Sequence, residues 1–138
     1  MTLKYLLDTN IVSEPLRPAP HKKVLRSLER HQAEIAIAAI VWHELLLGCY
    51  RLPKSARRAA IERYLYDVVA PSIPILGYDV NAAEWHASER TRLTSLGRTP
   101  PFADGQIAAI AKANDLTLVT LNLSDYASFQ DLAVEDWR

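Results

Sequence analysis

Three carboxylates, Asp8, Glu44 and Asp104, stand where ordinary surface charge does not account for them, and a loop that carries Asp125 strengthens the cluster. Asp8 closes the apolar run Tyr5-Leu6-Leu7 in the stretch YLLDTN. Glu44, in IVWHELLLG, has Ile40, Val41, Leu47 and Gly48 three and four residues away, the neighbours of a single helix face. Asp104 opens an alanine- and isoleucine-rich stretch, with Ile107 and Ala108 one turn on and Ala111 beyond. Asp125 comes just after Thr120 and Asn122 in TLVTLNLSDY. An ionised acid is rarely taken out of water unless a cation or hydrogen bonds offset the desolvation. Three of the acids also have a plainer reading: Asp8 as a helix cap, Asp104 as the partner of a helix dipole, Glu44 as half of an ion pair with an arginine.

If the acids converge, their chemistry is specific. Carboxylate oxygens without histidine or cysteine suit a hard divalent ion, Mg²⁺ or Mn²⁺, and fit zinc poorly. His43 and His86 lack the spaced partner of a zinc site, His21 and His31 flank a helix, and all four read as structural or surface residues. Such a pocket is suited to phosphodiester hydrolysis, because a held cation can bind a phosphate oxygen and lower the pKa of a bound water. An uncovered acid cluster repels RNA, so a cationic rim is expected. Arg51, Lys54, Arg57, Arg58, Arg90, Arg92 and Arg98 are the candidates, the first four as one loop-to-helix run. A solvated helix face explains the same run equally well.

The elements that must gather these residues alternate. Strands are expected at Lys4 to Leu7, Glu34 to Ile37, Ser72 to Leu76, Thr117 to Leu121 and, more weakly, Leu132 to Val134. Helices are expected from about His21 to His31, Ile40 to Tyr50, Lys54 to Val69, Val80 to Leu96, where Gly97 stops the turn, and Ala103 to Asn114. Strands alternating with helices give a three-layer α/β/α sandwich around a central, mainly parallel sheet. The carboxyl ends of parallel strands share one edge, so acids distant in the chain can meet there.

Composition bounds the rest. The 138 residues, 49% of them hydrophobic, suit one domain over 1–138. Lysine plus arginine and aspartate plus glutamate balance at 16 each, so net charge points to no partner and excludes none. The single Cys49 can close no internal disulfide and reads as a small core residue. No apolar run is long enough for a bilayer, and the first residues lack the pattern of a signal peptide, so the expectation is a soluble, cytoplasmic protein. A dinucleotide-binding fold is disfavoured, since no glycine-rich turn follows the first strand and the residues there are acidic.

Three blocks, LLDTNIVSEPLR, the acid of VWHELLLGCYRL, and FADGQIAAIAKANDLTLVTLNLSDY, together resemble the PIN-domain toxins of the VapC type, over almost the whole chain from Leu6 to about Trp137. The resemblance implies a Mg²⁺- or Mn²⁺-dependent endoribonuclease that cuts tRNA or rRNA. It implies also a homodimer held inactive by a small antitoxin. Carried over by position, Asp8 and Asp104 match the principal metal-binding acids and Glu44 the third, which makes these the catalytic set. Thr9 and Asn10 match residues that support the site by hydrogen bonds. Where many relatives have a fourth acid this chain has Asn122, which offers a neutral oxygen, and Asp125, a turn further on, can compensate. Two other readings stay open: a PIN-like module without catalysis that serves as a binding partner, and a DNA-directed or structure-specific nuclease. Close packing of the acids is expected to raise their pKa values in the metal-free protein, so activity should fall in mild acid.

Overall fold

Leu6 and Leu7 are consecutive residues on opposite faces of one strand, and both are fully buried. Only a strand covered on both faces needs apolar residues without alternation. The computed structural model, which describes residues 2–138, places this strand, β1 (Tyr5–Leu7), at the centre of a five-stranded sheet. β2 (Ile35–Ala38), buried at all its positions, and β4 (Thr117–Val119) flank it. β3 (Ile75–Leu76) and β5 (Val134–Glu135) form the edges, the order is β3-β2-β1-β4-β5, and every pairing among the described residues is parallel. Helices flank the sheet, as the alternating pattern predicts.

The helices are α1 (Thr9–Val12), α2 (Lys22–Arg30), α3 (Ala39–Tyr50), α4 (Ala56–Arg63), α5 (Ala70–Ser72), α6 (Val80–Ser95), α7 (Phe102–Ala113) and α8 (Leu123–Tyr126). A 3₁₀ turn covers Glu14–Leu16, and α4 widens into π-helical turns over Tyr64–Val69. Gly97 ends α6 with φ 72°, and the amide of Arg98 returns to the carbonyl of Leu93 at 2.8 Å. That left-handed closure is the stop the glycine predicts.

The strand order carries the functional consequence. From β1 the chain moves outward through β2 to β3, then crosses back to begin β4 on the other side of β1. The sheet therefore reverses direction between β1 and β4, where the loops leaving the two strands diverge and open a crevice. Leu7 pairs with Val119, so Asp8 and Thr120 leave the sheet side by side, and the Asp8 amide donates to the Val119 carbonyl at 2.8 Å.

Several boundaries differ from expectation for local reasons. The strand expected from Ser72 begins only at Ile75, because Ala70–Ser72 is helical and Pro74 has no amide to give a ladder; its carbonyl instead accepts from Ile37 at 3.0 Å. The strand expected to reach Leu121 stops at Val119, since the Leu121 amide is captured by the Asn10 side chain at 3.1 Å. α4 starts after Ser55, whose hydroxyl caps the Arg58 amide at 3.1 Å, and not at Lys54. The last strand pairs at Val134–Glu135, slightly beyond the expected Leu132 to Val134. α1 and α8, four residues each, are too short for a helical period to register in the sequence. Among the described residues, no helix is long and apolar enough to cross a membrane.

α7 is seated closely by small residues. Gly105, Ala108, Ala109 and Ala111 are all buried. At Gly105 an added Cβ would lie 2.1 Å from Nε2 of His86, itself buried on α6. We expect Gly105→Ala to destabilise the fold by about 1–3 kcal/mol through overpacking. In urea melts its effect should not add to that of His86→Ala, because the two side chains contend for one space.

Candidate active site

Asp8 does both things its position allows. Its Oδ1 accepts from the Thr9 amide at 2.8 Å and so caps α1. Its Oδ2 accepts from the Thr120 hydroxyl at 2.8 Å and from the Tyr126 hydroxyl at 3.3 Å. The residue is 8% exposed, and these hydrogen bonds replace the water it has lost. Thr120, fully buried, is the hub: its Oγ1 also accepts from the Asn122 amide at 3.0 Å and lies 3.4 Å from the Asn10 side-chain nitrogen. Asn10 thereby ties the exit of β1 to the exit of β4.

Glu44 is half-buried, and its Oε2 accepts from the Thr9 hydroxyl. No arginine pairs with it among the described residues, so that plainer reading fails. The apolar-face expectation is met only in part. Val41 is buried and Ile40 half-buried, but Leu47 and Gly48 are exposed, so Glu44 lies along the rim of the crevice and not deep in the core. Thr9, with its amide on Asp8 and its hydroxyl on Glu44, joins the two acids.

Asp104, in the first turn of α7, has no hydrogen-bond partner for its carboxylate among the described residues. Burial raises its pKa from 3.8 to about 6, and the negative charges of Asp125, Asp8 and Glu44 add to the rise. The physical content is that all four acids share one field. Tyr126 reports the same gathering: burial, then Asp8 and Asp104, hold its phenol far above the usual range, so it remains a protonated donor to Asp8. Asp125 and Asn122 are exposed at the mouth of the crevice.

The donor set fits a hard cation by its chemistry: carboxylate, hydroxyl and amide oxygens, without sulfur or imidazole. Among the described residues no three acidic, histidine or cysteine side chains are already close enough to clasp an ion. Asp8, Asp104, Glu44 and Asp125 are the residues that could hold one.

The PIN domain family model matches residues 5–130. The chain belongs to the PIN-domain family. It is 32% identical over 136 residues to Toxin FitB of Neisseria gonorrhoeae, covering 96% of this chain and 98% of that protein. It is 28% identical over 135 residues to a tRNA(fMet)-specific endonuclease VapC of Shigella flexneri, covering 98% of each. Among solved structures it is similar to VapBC2 from Rickettsia felis bound to a promoter DNA fragment, with TM-score 0.83, 26% identity and full coverage of both chains.

In this PIN domain the expected cationic rim is thinner than the sequence implies. Arg51, Lys54, Arg57 and Arg98 are exposed and make no ion pair among the described residues. Arg58 is committed elsewhere: it bonds Glu62 at 3.0 Å and the Leu52 carbonyl at 3.2 Å, and lies over the Tyr50 ring. Arg92 pairs with the buried Glu89 and donates to the Ser128 carbonyl at 2.9 Å. Arg90 donates to the Pro100 carbonyl at 3.1 Å. The three form internal bonds because their stems run along protein surface that offers acceptors. Cys49 is buried, as a small core residue should be, and His86 is buried while His43 is exposed. Tyr126 is the site residue that sequence reasoning missed. Its only advance signal is a tyrosine directly after Asp125, in a helix too short to show a face.

The raised pKa of Asp104 fixes the sign of a pH effect. Between 3.8 and about 6 the folded protein keeps a proton that the unfolded chain has released. Stability of the metal-free protein therefore falls as pH rises through that window. Asp104→Asn should raise the melting temperature in EDTA at neutral pH and flatten this decline; a lower melting temperature would show that the carboxylate is not under repulsion. Mn²⁺ affinity of the parent protein should drop as pH falls below about 6, where the proton competes for the same oxygen.

Proposed function

We propose that this PIN domain is a divalent-metal-dependent endoribonuclease, Mg²⁺ or Mn²⁺ being the cofactor, and the toxin of a toxin–antitoxin pair. The observation that carries the reading is the convergence of Asp8, Glu44, Asp104 and Asp125 on the crevice between β1 and β4. The similarity to Toxin FitB supports the toxin role, and that to a tRNA(fMet)-specific VapC endonuclease supports RNA as substrate; tRNA or rRNA is the class we propose. It acts in the cytoplasm as a single domain.

Asp8, Asp104, Glu44 and Asp125 would hold the cation, Asp8 and Asp104 chiefly. When bound there, the cation supplies positive charge for phosphate oxygens and lowers the pKa of water. The protein groups do the positioning. Thr120 and Tyr126 fix the Asp8 carboxylate by donating to Oδ2, and the Thr9 amide fixes Oδ1. Thr9 holds Glu44 through Oε2, leaving Oε1 free to accept a proton from the attacking water or to bind the metal. Asn122 can add only a neutral oxygen, so a second cation would lean on the exposed Asp125. Arg51, Lys54, Arg57 and Arg98 are the free cations for the RNA backbone; Arg51, the residue that caps the end of α3, follows Glu44 by seven residues, two turns or about 10 Å along the same face.

The partners are a small antitoxin covering the acidic crevice and a second copy of the chain. Exposed Leu47, Tyr50, Tyr66 and Val68, with Tyr50 and Tyr66 hydroxyls 2.7 Å apart, offer an apolar face that supports a homodimer. The neutral Asn122 favours one other reading, a PIN module that binds RNA without cutting it.

Asp8→Asn and Asp104→Asn should each abolish cleavage of RNA in Mg²⁺ with the fold retained by circular dichroism. Thr9→Val should cost about 10–100-fold in activity, the scale of losing a ligand's orienting hydrogen bond. Intact RNA with and without Mg²⁺, at a protein level that still binds it, would leave the binding module as the correct reading; cleavage of DNA alone would redirect the assignment to a DNA nuclease. Arg51→Ala should weaken RNA binding and lower the salt slope by about one. Arg58→Ala should instead act on stability, since its partners are internal.

A further inference from the structure

α2 reads KKVLRSLER, four cations against one acid in a chain whose charges balance at 16 each. Its inner face carries the buried Val24, with Leu25 and Leu28 half-buried beside it. Lys23, Arg26 and Arg30 recur at i, i+3 and i+7 on the opposite face, all exposed, and none is bonded to an acid among the described residues. They line one open groove together with Ser27 and the indole of Trp137. The indole is held in place. It stacks on the His31 ring, centroids 5.3 Å apart at 29°, meets the Tyr5 ring edge-on at 5.2 Å, and donates through Nε1 to Glu135 at 3.3 Å. α2 is the crossover from β1 to β2, so its first turn lies at the sheet edge where the crevice opens, and the cationic stripe runs away from that edge. The tail that carries Trp137 borders the same edge: the Glu135 carbonyl accepts from the Thr120 amide at 3.0 Å, and Arg138 donates to the Leu121 carbonyl at 3.0 Å.

We infer that this groove on α2 is a track for the sugar–phosphate backbone of the RNA beyond the cleavage site. The inference rests on the ribonuclease reading of the crevice and adds where the rest of the substrate lies. An acidic crevice repels a polyanion, and Arg58, Arg90 and Arg92 are engaged in bonds within the protein. Attraction must then come from unpaired cations, and α2 presents three of them in a line. Lys23 to Arg30 spans about 10 Å at 1.5 Å per residue, and a stacked strand carries a phosphate about every 3.4 Å, so the stripe faces about three phosphates. The sign of the charge favours RNA over a protein occupant. A partner that covers the four carboxylates brings positive charge to this edge, the wrong sign for α2, whereas a polyanion matches the whole stripe. Such contacts fix position and affinity without reading bases, which leaves the choice of the cleaved bond to the crevice. The substrate class that follows is an RNA long enough to reach from the crevice onto α2.

The test uses the full chain carrying Asp8→Asn, which should bind without cutting, and fluorescent single-stranded RNA read by anisotropy over a range of KCl. Two RNAs are compared, one of a few nucleotides and one several times longer. Adding Lys23→Gln, Arg26→Gln and Arg30→Gln together should weaken binding of the long RNA by about tenfold and lower its salt slope by about two, three phosphates at about 0.7 each. Lys23→Arg, Arg26→Lys and Arg30→Lys together, which keep the charges, should bind it as the parent does. In the cleaving protein the glutamine variant should raise KM for the long RNA, leave kcat unchanged, and cut the short RNA as well as the parent. Its melting temperature should not move, because the three side chains are exposed. Unchanged affinity and slope for the long RNA would overturn the track, as would an equal defect on the short RNA or in the charge-keeping variant. If long-RNA binding held while affinity for a protein antitoxin fell, the stripe would be a protein contact and the track would be lost. Should the Asp8→Asn chain bind neither RNA and the parent cut neither, the ribonuclease reading itself falls; cleavage by the parent, with the glutamine variant unimpaired, sinks the track alone.

Discussion

Repulsion among carboxylates in a partly dry crevice is the constraint around which the rest of the molecule is arranged. Asp104 shows it most directly, with burial and three neighbouring acids raising its pKa to about 6. Asp8 meets the same problem differently. Three donors, the Thr9 amide and the Thr120 and Tyr126 hydroxyls, occupy its oxygens and lock its direction. The site thus divides into a fixed acid and a strained one.

The scaffold makes this arrangement possible through topology more than through local stability. Reversal of strand order between β1 and β4 opens the crevice, and the parallel sheet brings Asp8 and Thr120 out at the same edge. Asn10 and Thr120 then join the two exits, so the floor of the crevice is held by side-chain bonds where the ladder has ended. α7 buries Gly105 and three alanines together with Ile107 and Ile110, and it carries Asp104 in its first turn. His86 packs against Gly105, so the helix position depends on a residue outside the acid cluster.

Much of the fold was legible in the residues. Consecutive buried positions at Leu6-Leu7 and across Ile35–Ala38 announce strands covered on both faces, and the glycine at 97 announces the end of α6. Boundaries were less legible, because side chains distant in sequence decide them: Asn10 ends the strand that would otherwise run to Leu121, and Pro74 delays β3. Of the site, the acids stood out because a charge among apolar neighbours is anomalous in itself. Tyr126 did not, since an aromatic residue after an acid looks like any half-buried tyrosine until its hydroxyl is seen on Asp8. The cationic run at 51–58 misled in part, because a sequence cannot say that Arg58 turns back to Glu62 and Leu52.

The sequence by itself determined the alternation of strands and helices, the acid types available and their hard-ion chemistry, and the family to which the chain belongs. These depend on residue type and short spacing, and both survive in one dimension. Only the tertiary structure decided that Asp8 is cap and site residue at once, that Thr9 joins it to Glu44, and which arginines remain free. Those facts depend on separations across the sheet and between helices. Hydrogen bonding and charge repulsion fall off over a few ångströms, so they are set by where the chain returns to itself and not by the order of its residues.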